Sequence, residues 1–237
     1  MTYISDKNFY LEVAKGNVPK HSIVHKFGSG AVTTSILPVT FTNNYPTPTA
    51  AVALEVVSSN AADAQNGVGA RTITFVGLDA NWAEVTQVVS THATDGTIAV
   101  SIPTSLIRMY RWYVSESGAT WSQIPITPFA IGQSTIGVYT IPLGFTAYLL
   151  SKNVNVNSNK AADLYMFRRP LANDVTTPYT GTLRVIQMEL GVIGGLNFDV
   201  HVPKLIGAGP CDIGFMAAVA SGTGDVSVEF ELLLIED

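Results

Sequence analysis

The sequence predicts an all-β fold, an antiparallel β-sandwich of jelly-roll-like form with an extended N-terminal arm. Apolar and polar residues alternate with period two over many short stretches, as they do in half-buried strands. Clusters of Gly, Pro and Asn interrupt these stretches at short intervals, and the periodicity of amphipathic helices is almost absent. About a dozen short strands joined by turns favour two packed sheets over one open sheet.

The last strand shows the clearest alternation. Val226, Val228 and Phe230 are predicted to line one face, while Glu229 and Glu231 line the other. β-branched runs bounded by turn residues predict the remaining strands at 31–42, 51–57, 71–78, 82–90, 97–102, 106–115, 135–141, 146–151, 164–168, 182–190, 196–202 and 212–219.

The first thirty residues differ from the rest of the chain. They are predicted to form an N-terminal arm, residues 1–30, ahead of a sandwich domain over 31–237, with a subdivision near 118–132 as an alternative. The arm mixes aromatic residues with lysines, and such a mixture is costly to leave in water. We therefore predict that the arm binds a neighbouring protein, with packing on its own domain as the alternative. The candidate partner-binding residues are Tyr3, Phe9, Tyr10, Lys15, Lys20, Lys26 and Phe27.

Composition excludes several classes of protein. Only 13% of the residues are charged, about half of the usual 25%, and such a surface suits permanent contacts. A net charge of −5 without a basic run argues against nucleic acid as a partner. With neither a long apolar run nor a leader-like start, the chain is expected not to span a membrane or carry a signal peptide. The single cysteine, Cys211, excludes an internal disulfide and is compatible with a reducing cytoplasm.

The motifs of catalysis are incomplete. The phosphate-binding loop is missing, and the nearest match to a nucleophile elbow, residues 132–137, has one residue too many. His21 and His25 are four residues apart, but no further ligand near them completes a zinc site. We therefore predict no catalytic, metal-binding or cofactor-binding residues and no enzymatic activity.

Two alternatives keep a role for carbohydrate chemistry. Glu229 and Glu231 lie on one strand face, and paired carboxylates carry out glycoside hydrolysis, although a charged outer face that limits edge association is the preferred interpretation. Tyr110 and Trp112 are predicted to share a strand face and could stack a sugar ring. Packing in the core or between subunits is the preferred interpretation for these aromatic residues.

Several segments resemble a family of virion structural proteins from tailed bacteriophages. The resemblance begins with LEVAKGNVPKHSIVHKFG at 11–28 and recurs at 47–52, 76–82, 108–111, 141–150 and 226–237. It implies a β-sandwich or jelly-roll-like protein with a terminal arm, located on the head as a cement or decoration protein, or in the connector and tail. It implies no catalytic residues.

The predicted function is that of a capsid cement or decoration protein, which stabilises the head by binding the major capsid protein. Such a protein needs many modest contacts repeated by symmetry. We expect a homo-oligomer, with a trimer as the leading form, made in the host cytoplasm and located on the capsid surface. A neck, baseplate or fibre-anchoring protein is the alternative, and a polysaccharide-binding tail protein comes third. Neither shaft repeats nor a long β-helix repeat is present in the sequence.

Overall fold

A computed structural model of the chain describes residues 8–118, 132–157, 160–174 and 182–237. Within them the protein forms one short helix and fourteen strands in antiparallel sheets that pack against each other, so the predicted all-β sandwich class is confirmed. The elements are α1 (Phe9–Ala14), β1 (His21–Val32), β2 (Leu37–Pro38), β3 (Glu55–Val56), β4 (Ala70–Leu78), β5 (Glu84–Ser90), β6 (Val100–Ser101), β7 (Arg108–Ser117), β8 (Val138–Ile141), β9 (Phe145–Asn157), β10 (Ala162–Arg169), β11 (Arg184–Val192), β12 (Gly194–Ala208), β13 (Cys211–Val219) and β14 (Gly224–Glu236).

The chain folds into two compact units, and the second interrupts the first in sequence. Unit 1 contains Met1–Tyr45 and Ile136–Asp237, whereas unit 2 contains Pro46–Thr135. The sequence predicts one domain over 31–237. Its alternative subdivision near 118–132 falls almost entirely outside the described residues. In the structure, the chain leaves unit 1 after Tyr45 and returns to it at Ile136.

Unit 1 contains two antiparallel sheets. Sheet A has the strand order β1-β14-β9-β12, and sheet B has the order β11-β10-β13-β2, with β8 also paired to β13. Burial along β14 alternates as the sequence predicts, because Val226, Val228 and Phe230 are buried while Ser227 and Glu229 are exposed. The apolar residues of β14 therefore face the interior of the sandwich.

The two sheets face each other strand by strand. The rings of Phe215 in β13 and Phe230 in β14 lie 6.0 Å apart between their centroids. Further along, Lys152 in β9 reaches Glu189 in β11, with 2.8 Å between Nζ and Oε1. Strands β9 and β12 of sheet A therefore lie over β10 and β11 of sheet B, and β1 lies at the opposite side of the sandwich.

Two glycines let the sheets approach closely at the β1 side. A Cβ added to Gly28 in β1 would lie 2.0 Å from the Gly137 amide nitrogen and 2.7 Å from the Val39 carbonyl oxygen. No real Cβ occupies such a position, so glycine is required at residue 28. The sequence of β1 thus departs from simple alternation because of a packing requirement.

The strands of unit 1 pair in a nested order. Strand β1 pairs with β14, β2 and β8 pair with β13, β9 pairs with β12, and β10 pairs with its neighbour β11. Unit 2 enters the chain between β2 and β8, which pair with the same strand. Most of the ladders therefore join residues that are far apart in sequence, and only β10 and β11 form a local pair.

All of the predicted arm that the structure describes belongs to unit 1. Residues 21–30 lie in β1, which pairs with β14 along its whole length. Helix α1 packs on β1, with Val13 buried and the Phe9 ring 5.6 Å from the His21 ring in an edge-on arrangement. In place of the predicted strand 31–42, the structure has the end of β1 and the two-residue strand β2.

Unit 2 has its own apolar core. Its three-stranded sheet has the order β5-β4-β7, and strands β3 and β6 form a two-stranded sheet. Phe75, Val89 and Ile102 form a buried cluster between these elements. Partly buried side chains complete the core, namely Leu54, Val56, Ile73, Val100, Met109 and Trp112.

The cysteine of unit 1 provides a probe of folding. Cys211 is 1% exposed in β13, and burial, reinforced by the Asp212 carboxylate, raises the pKa of its thiol to about 12. Since thiolate is the nucleophile, we expect the native protein at pH 8 to resist alkylation, and the unfolded protein to be alkylated quickly. Labelling followed by mass measurement checks this, and rapid labelling without denaturant would contradict it.

The same pKa shift predicts a loss of stability in alkali. The unfolded thiol ionises near pH 9, whereas the folded thiol stays protonated up to about pH 12. The free energy of unfolding should therefore fall between these two values, because only the unfolded state releases the proton there. A Cys211→Ala variant should show a shallower fall over the same pH range.

Candidate assembly surfaces

One side of unit 1 consists of two strand edges without partners. Among the described residues, β11 pairs only with β10, and β12 pairs only with β9. These two edge strands follow each other in the chain but belong to different sheets, so the turn at Ile193 crosses from sheet B to sheet A. Arg168 in β10 donates a hydrogen bond to the Ile206 carbonyl in β12 and ties the sheets together here. We call this surface the open side.

The local sequence explains the crossing between the sheets. Gly191 and Gly194 flank the turn with φ values of 66° and 75°, a backbone conformation that glycine adopts at little cost. Val192 is buried between them, while Ile193 is 69% exposed. The turn thus anchors one side chain inside and projects the next one outward.

The open side carries large apolar side chains in contact with water. They are between 45% and 76% exposed, whereas Val192 and Ile206 of the same two strands are buried. The set comprises Leu183, Val185, Met188, Leu190, Ile193, Val202 and Leu205. Unpaired strand edges combined with exposed apolar residues are a template for association with another chain.

The two edges differ in their protection against pairing. Strand β12 has a register shift between Asp199 and Lys204, a segment that includes Pro203, and both features interrupt an edge. On β11, Arg184 is exposed at one end, but Glu189 turns inward to Lys152. Strand β11 also has two register shifts in its pairing with β10, so it differs from β12 in that it contains no proline.

The opposite side of unit 1 has a smaller set of exposed apolar residues. Tyr10 and Leu11 project from α1 and are 38% and 51% exposed. Ile36 and Phe41, which flank β2, are exposed to a similar extent. We call this surface the helix side. It lies beyond β1 and β2, the strands farthest from the open side in their sheets.

The lysines predicted to bind a partner have neighbours in their own unit. The Lys15 ammonium lies 3.2 Å from a carboxylate oxygen of Glu12, and Lys20 donates to the Asp237 backbone carbonyl at 3.1 Å. Lys26 is buried in β1 at 5% exposure. Of the three, only Lys15 and Lys20 present their side chains at the surface.

The predicted aromatic residues of the arm divide into different environments. Tyr3 lies outside the described residues. Phe9 packs on His21, and Phe27 is half-buried beside the His25 ring at 6.2 Å. Tyr10 is the predicted aromatic residue that the described structure leaves exposed on the helix side.

Three of the four candidate catalytic residues, His25, Glu229 and Glu231, are neighbours on the outer face of sheet A, where His25 is the register partner of Glu231. His25 Nε2 lies 2.6 Å from Glu229 Oε1 on the outer face of sheet A, whereas Glu231 accepts a hydrogen bond from Ser151 at 3.1 Å. The His21 ring nitrogen Nδ1 contacts the Pro19 carbonyl instead. Within the described part of the chain, no group of three or more His, Cys, Asp or Glu residues could hold a metal ion.

Tyr110 and Trp112 pack in the core of unit 2, which agrees with the preferred interpretation and not with the alternative of a sugar-stacking platform. Tyr110 is 3% exposed and donates its hydroxyl to Glu84, while Trp112 packs on the core of unit 2. The β4–β7 register shifts between Val76 and Gly77, which leaves Tyr110 as an extra residue on β7. Regular alternation predicts a shared strand face for Tyr110 and Trp112, and the register shift interrupts that alternation next to Tyr110.

The sequence predicts strands at 182–190 and 196–202 but does not reveal their free edges. The run from Leu183 to Ile193 has few charged residues, a pattern shared by buried strands. Edge position depends on which strands pair across the whole chain, and a single strand carries little information about that.

In the described ranges, none of the helical segments is both long and apolar enough to cross a membrane.

No protein-family model matches the chain, and none of the curated protein sequences is similar to it.

Proposed function

We propose that this protein is a non-catalytic structural subunit of a tailed-bacteriophage virion, a capsid cement or decoration protein that binds the major capsid protein. The observation that carries the proposal is the open side, where two strand edges and seven exposed apolar side chains have no partner within the described residues. Such a surface favours permanent association, since it would cause uncontrolled aggregation if left uncovered. The low charge of the chain supports the same role.

The order of the strands also supports a virion role. The nested pairing of β1 with β14, through to β10 with β11, supports the proposal that unit 1 is a double-sheet jelly roll. Viral capsid proteins use this architecture, although lectins do as well. The fold argument is one of analogy, and it agrees with the resemblance of the segments 11–28 and 226–237 to phage structural proteins.

The positions of the two surfaces favour a ring. The open side and the helix side lie at opposite sides of unit 1, so the open side of one copy can bind the helix side of the next. A contact between two different surfaces closes into a ring when the rotation allows it. We therefore propose a cyclic homo-oligomer, a trimer, whose assembled form binds the shell.

Substitution on each surface tests the proposal. Met188→Arg on the open side and Leu11→Arg on the helix side should each lower the oligomer mass to that of a monomer, because a buried unpaired charge is strongly unfavourable. Val88→Arg is the matched control, since Val88 is a 63% exposed strand residue of unit 2. Light scattering at micromolar concentration measures the mass. Wild-type protein that is monomeric and does not bind particles would contradict the proposal.

The position in the particle needs a separate experiment. Heads that lack the protein should rupture at a lower temperature, and added wild-type protein should restore their stability while Met188→Arg does not. The Val88→Arg variant should restore it fully. Binding to purified tails rather than to heads would move the protein to the neck or baseplate and overturn the assignment to the capsid.

A further inference from the structure

A lysine is buried between the sheets of unit 1. Lys152 in β9 is 2% exposed and pairs in register with Phe198 of β12 and Phe230 of β14. Its ammonium nitrogen lies 4.3 Å from the centre of the Phe198 ring. The side chain therefore crosses an apolar interior, and its amine emerges beside the neighbouring sheet.

Strand β11 places two polar groups opposite this amine. Gln187 and Glu189 are two residues apart, and both face inward. The Lys152 amine donates to Glu189 Oε1 at 2.8 Å, and the Gln187 amide nitrogen donates to the same oxygen at 2.9 Å. One carboxylate oxygen thus holds an amine and a carboxamide together in a largely water-excluded position.

This geometry points to a covalent cross-link, and we propose that Lys152 and Gln187 form an intramolecular isopeptide bond. An amine held beside a carboxamide reacts with a high effective concentration, because the fold has already removed the translational freedom of both groups. A neighbouring carboxylate can move the proton that the reaction transfers. Glu189 is positioned for that role by its contacts with both reactants.

The reaction balances without another reactant. Glu189 accepts a proton from the Lys152 ammonium, and the free amine attacks the Gln187 carbonyl carbon Cδ. The bond between Cδ and the amide nitrogen breaks, and this nitrogen leaves with two further protons, the one that Glu189 returns and one that the attacking nitrogen loses. A new Nζ–Cδ amide forms, one ammonium ion is released, and no oxidation or reduction takes place.

The bond would join β9 of sheet A to β11 of sheet B. Strand β11 is a free edge, held in its sheet by β10 alone among the described residues. A covalent link at Gln187 would prevent this edge from detaching while leaving Met188 and Leu190 exposed for a partner. The cross-link would therefore stabilise the open side without covering it.

Peptide mapping of the purified wild-type protein tests the proposal. Trypsin should fail to cleave after Lys152, and the digest should contain residues 112–160 joined to residues 185–204, lighter than the separate peptides by one ammonia. Efficient cleavage after Lys152, together with an unmodified 185–204 peptide, would overturn the proposal. This result does not depend on any variant being folded.

Variants assign the roles of the three groups. Lys152→Met replaces the amine with an unbranched apolar side chain and should remove the cross-link. Glu189→Gln keeps the shape of the side chain but should leave the two peptides unlinked. Ammonia can also be lost at Asn66-Gly67, and that loss should persist in Lys152→Met. Thiol protection of Cys211 checks that each variant is folded. A fully linked Glu189→Gln protein would refute the assigned role of Glu189.

Discussion

Replacing Gly28 with alanine is expected to destabilise unit 1 by about 3 kcal/mol. The new Cβ would lie 2.0 Å from the Gly137 nitrogen and 2.7 Å from the Val39 carbonyl oxygen. Both are backbone atoms, and the Gly137 amide donates to that same Val39 carbonyl at 2.9 Å. The backbone cannot turn aside as a flexible side chain would, so the sheets must separate to admit one methyl group.

Gly195 provides the matched control for this substitution. It lies in β12 of the same sheet, and an added Cβ would meet its nearest atom, the Val154 carbonyl oxygen, at 3.9 Å. Gly195→Ala should therefore change the free energy of unfolding by less than about 1 kcal/mol. Alkylation of Cys211 across a urea series measures unit 1 directly. Equal midpoints for the two variants would contradict the close approach of the sheets at Gly28.

A strand could be predicted from the sequence where apolar residues occupy every position of its buried face. In β14, buried Val226, Val228 and Phe230 alternate with outward-facing polar residues, and the sequence analysis identified both faces. In β1, Gly28 and Gly30 replace the expected apolar residues because the backbone of another strand or loop occupies that space. The alternation typical of a strand is therefore interrupted in β1, and the mixture of aromatic residues and lysines led to the prediction of an arm instead.

The candidate surfaces depend on long-range pairing, which sequence patterns do not encode. His21 pairs with Ile235, near the other end of the chain, and this pairing makes β14 an inner strand. Leu190 and Ile193 look like core residues in sequence, yet β11 and β12 come last in their sheets. Whether an apolar strand is central or at an edge is decided by the order of all the strands.

The insertion of unit 2 could not be predicted from the sequence for a related reason. Its strands alternate like those of unit 1 and have similar lengths, so composition does not change where Pro46 begins the unit.

All three tryptophans of the chain, Trp82, Trp112 and Trp121, fall within the sequence range of unit 2. Tryptophan fluorescence therefore reports on unit 2, whereas the Cys211 thiol reports on unit 1.

Arg108 holds together the loops around β7 in unit 2. It is 2% exposed, and its guanidinium carbon lies 5.0 Å from the centre of the Trp82 ring. One terminal nitrogen donates to the Ile107 carbonyl at 2.9 Å and to the Pro48 carbonyl at 3.2 Å. A planar guanidinium can stack and donate at the same time, which an ammonium cannot do.

Arg108→Ala is expected to destabilise unit 2 by about 3 kcal/mol, since it removes charge-assisted hydrogen bonds and leaves a cavity. Arg108→Lys should recover only part of the loss, because it restores the charge without the flat stacking surface. Arg111→Ala is the control on the same strand, where an exposed guanidinium lies 5.1 Å from the centre of the Tyr113 ring. This contact should contribute less than about 1 kcal/mol to the stability of unit 2. Tryptophan fluorescence during urea unfolding measures the stability of all three variants. Equal urea midpoints for Arg108→Ala and Arg111→Ala would show that the buried arginine is not what stabilises unit 2.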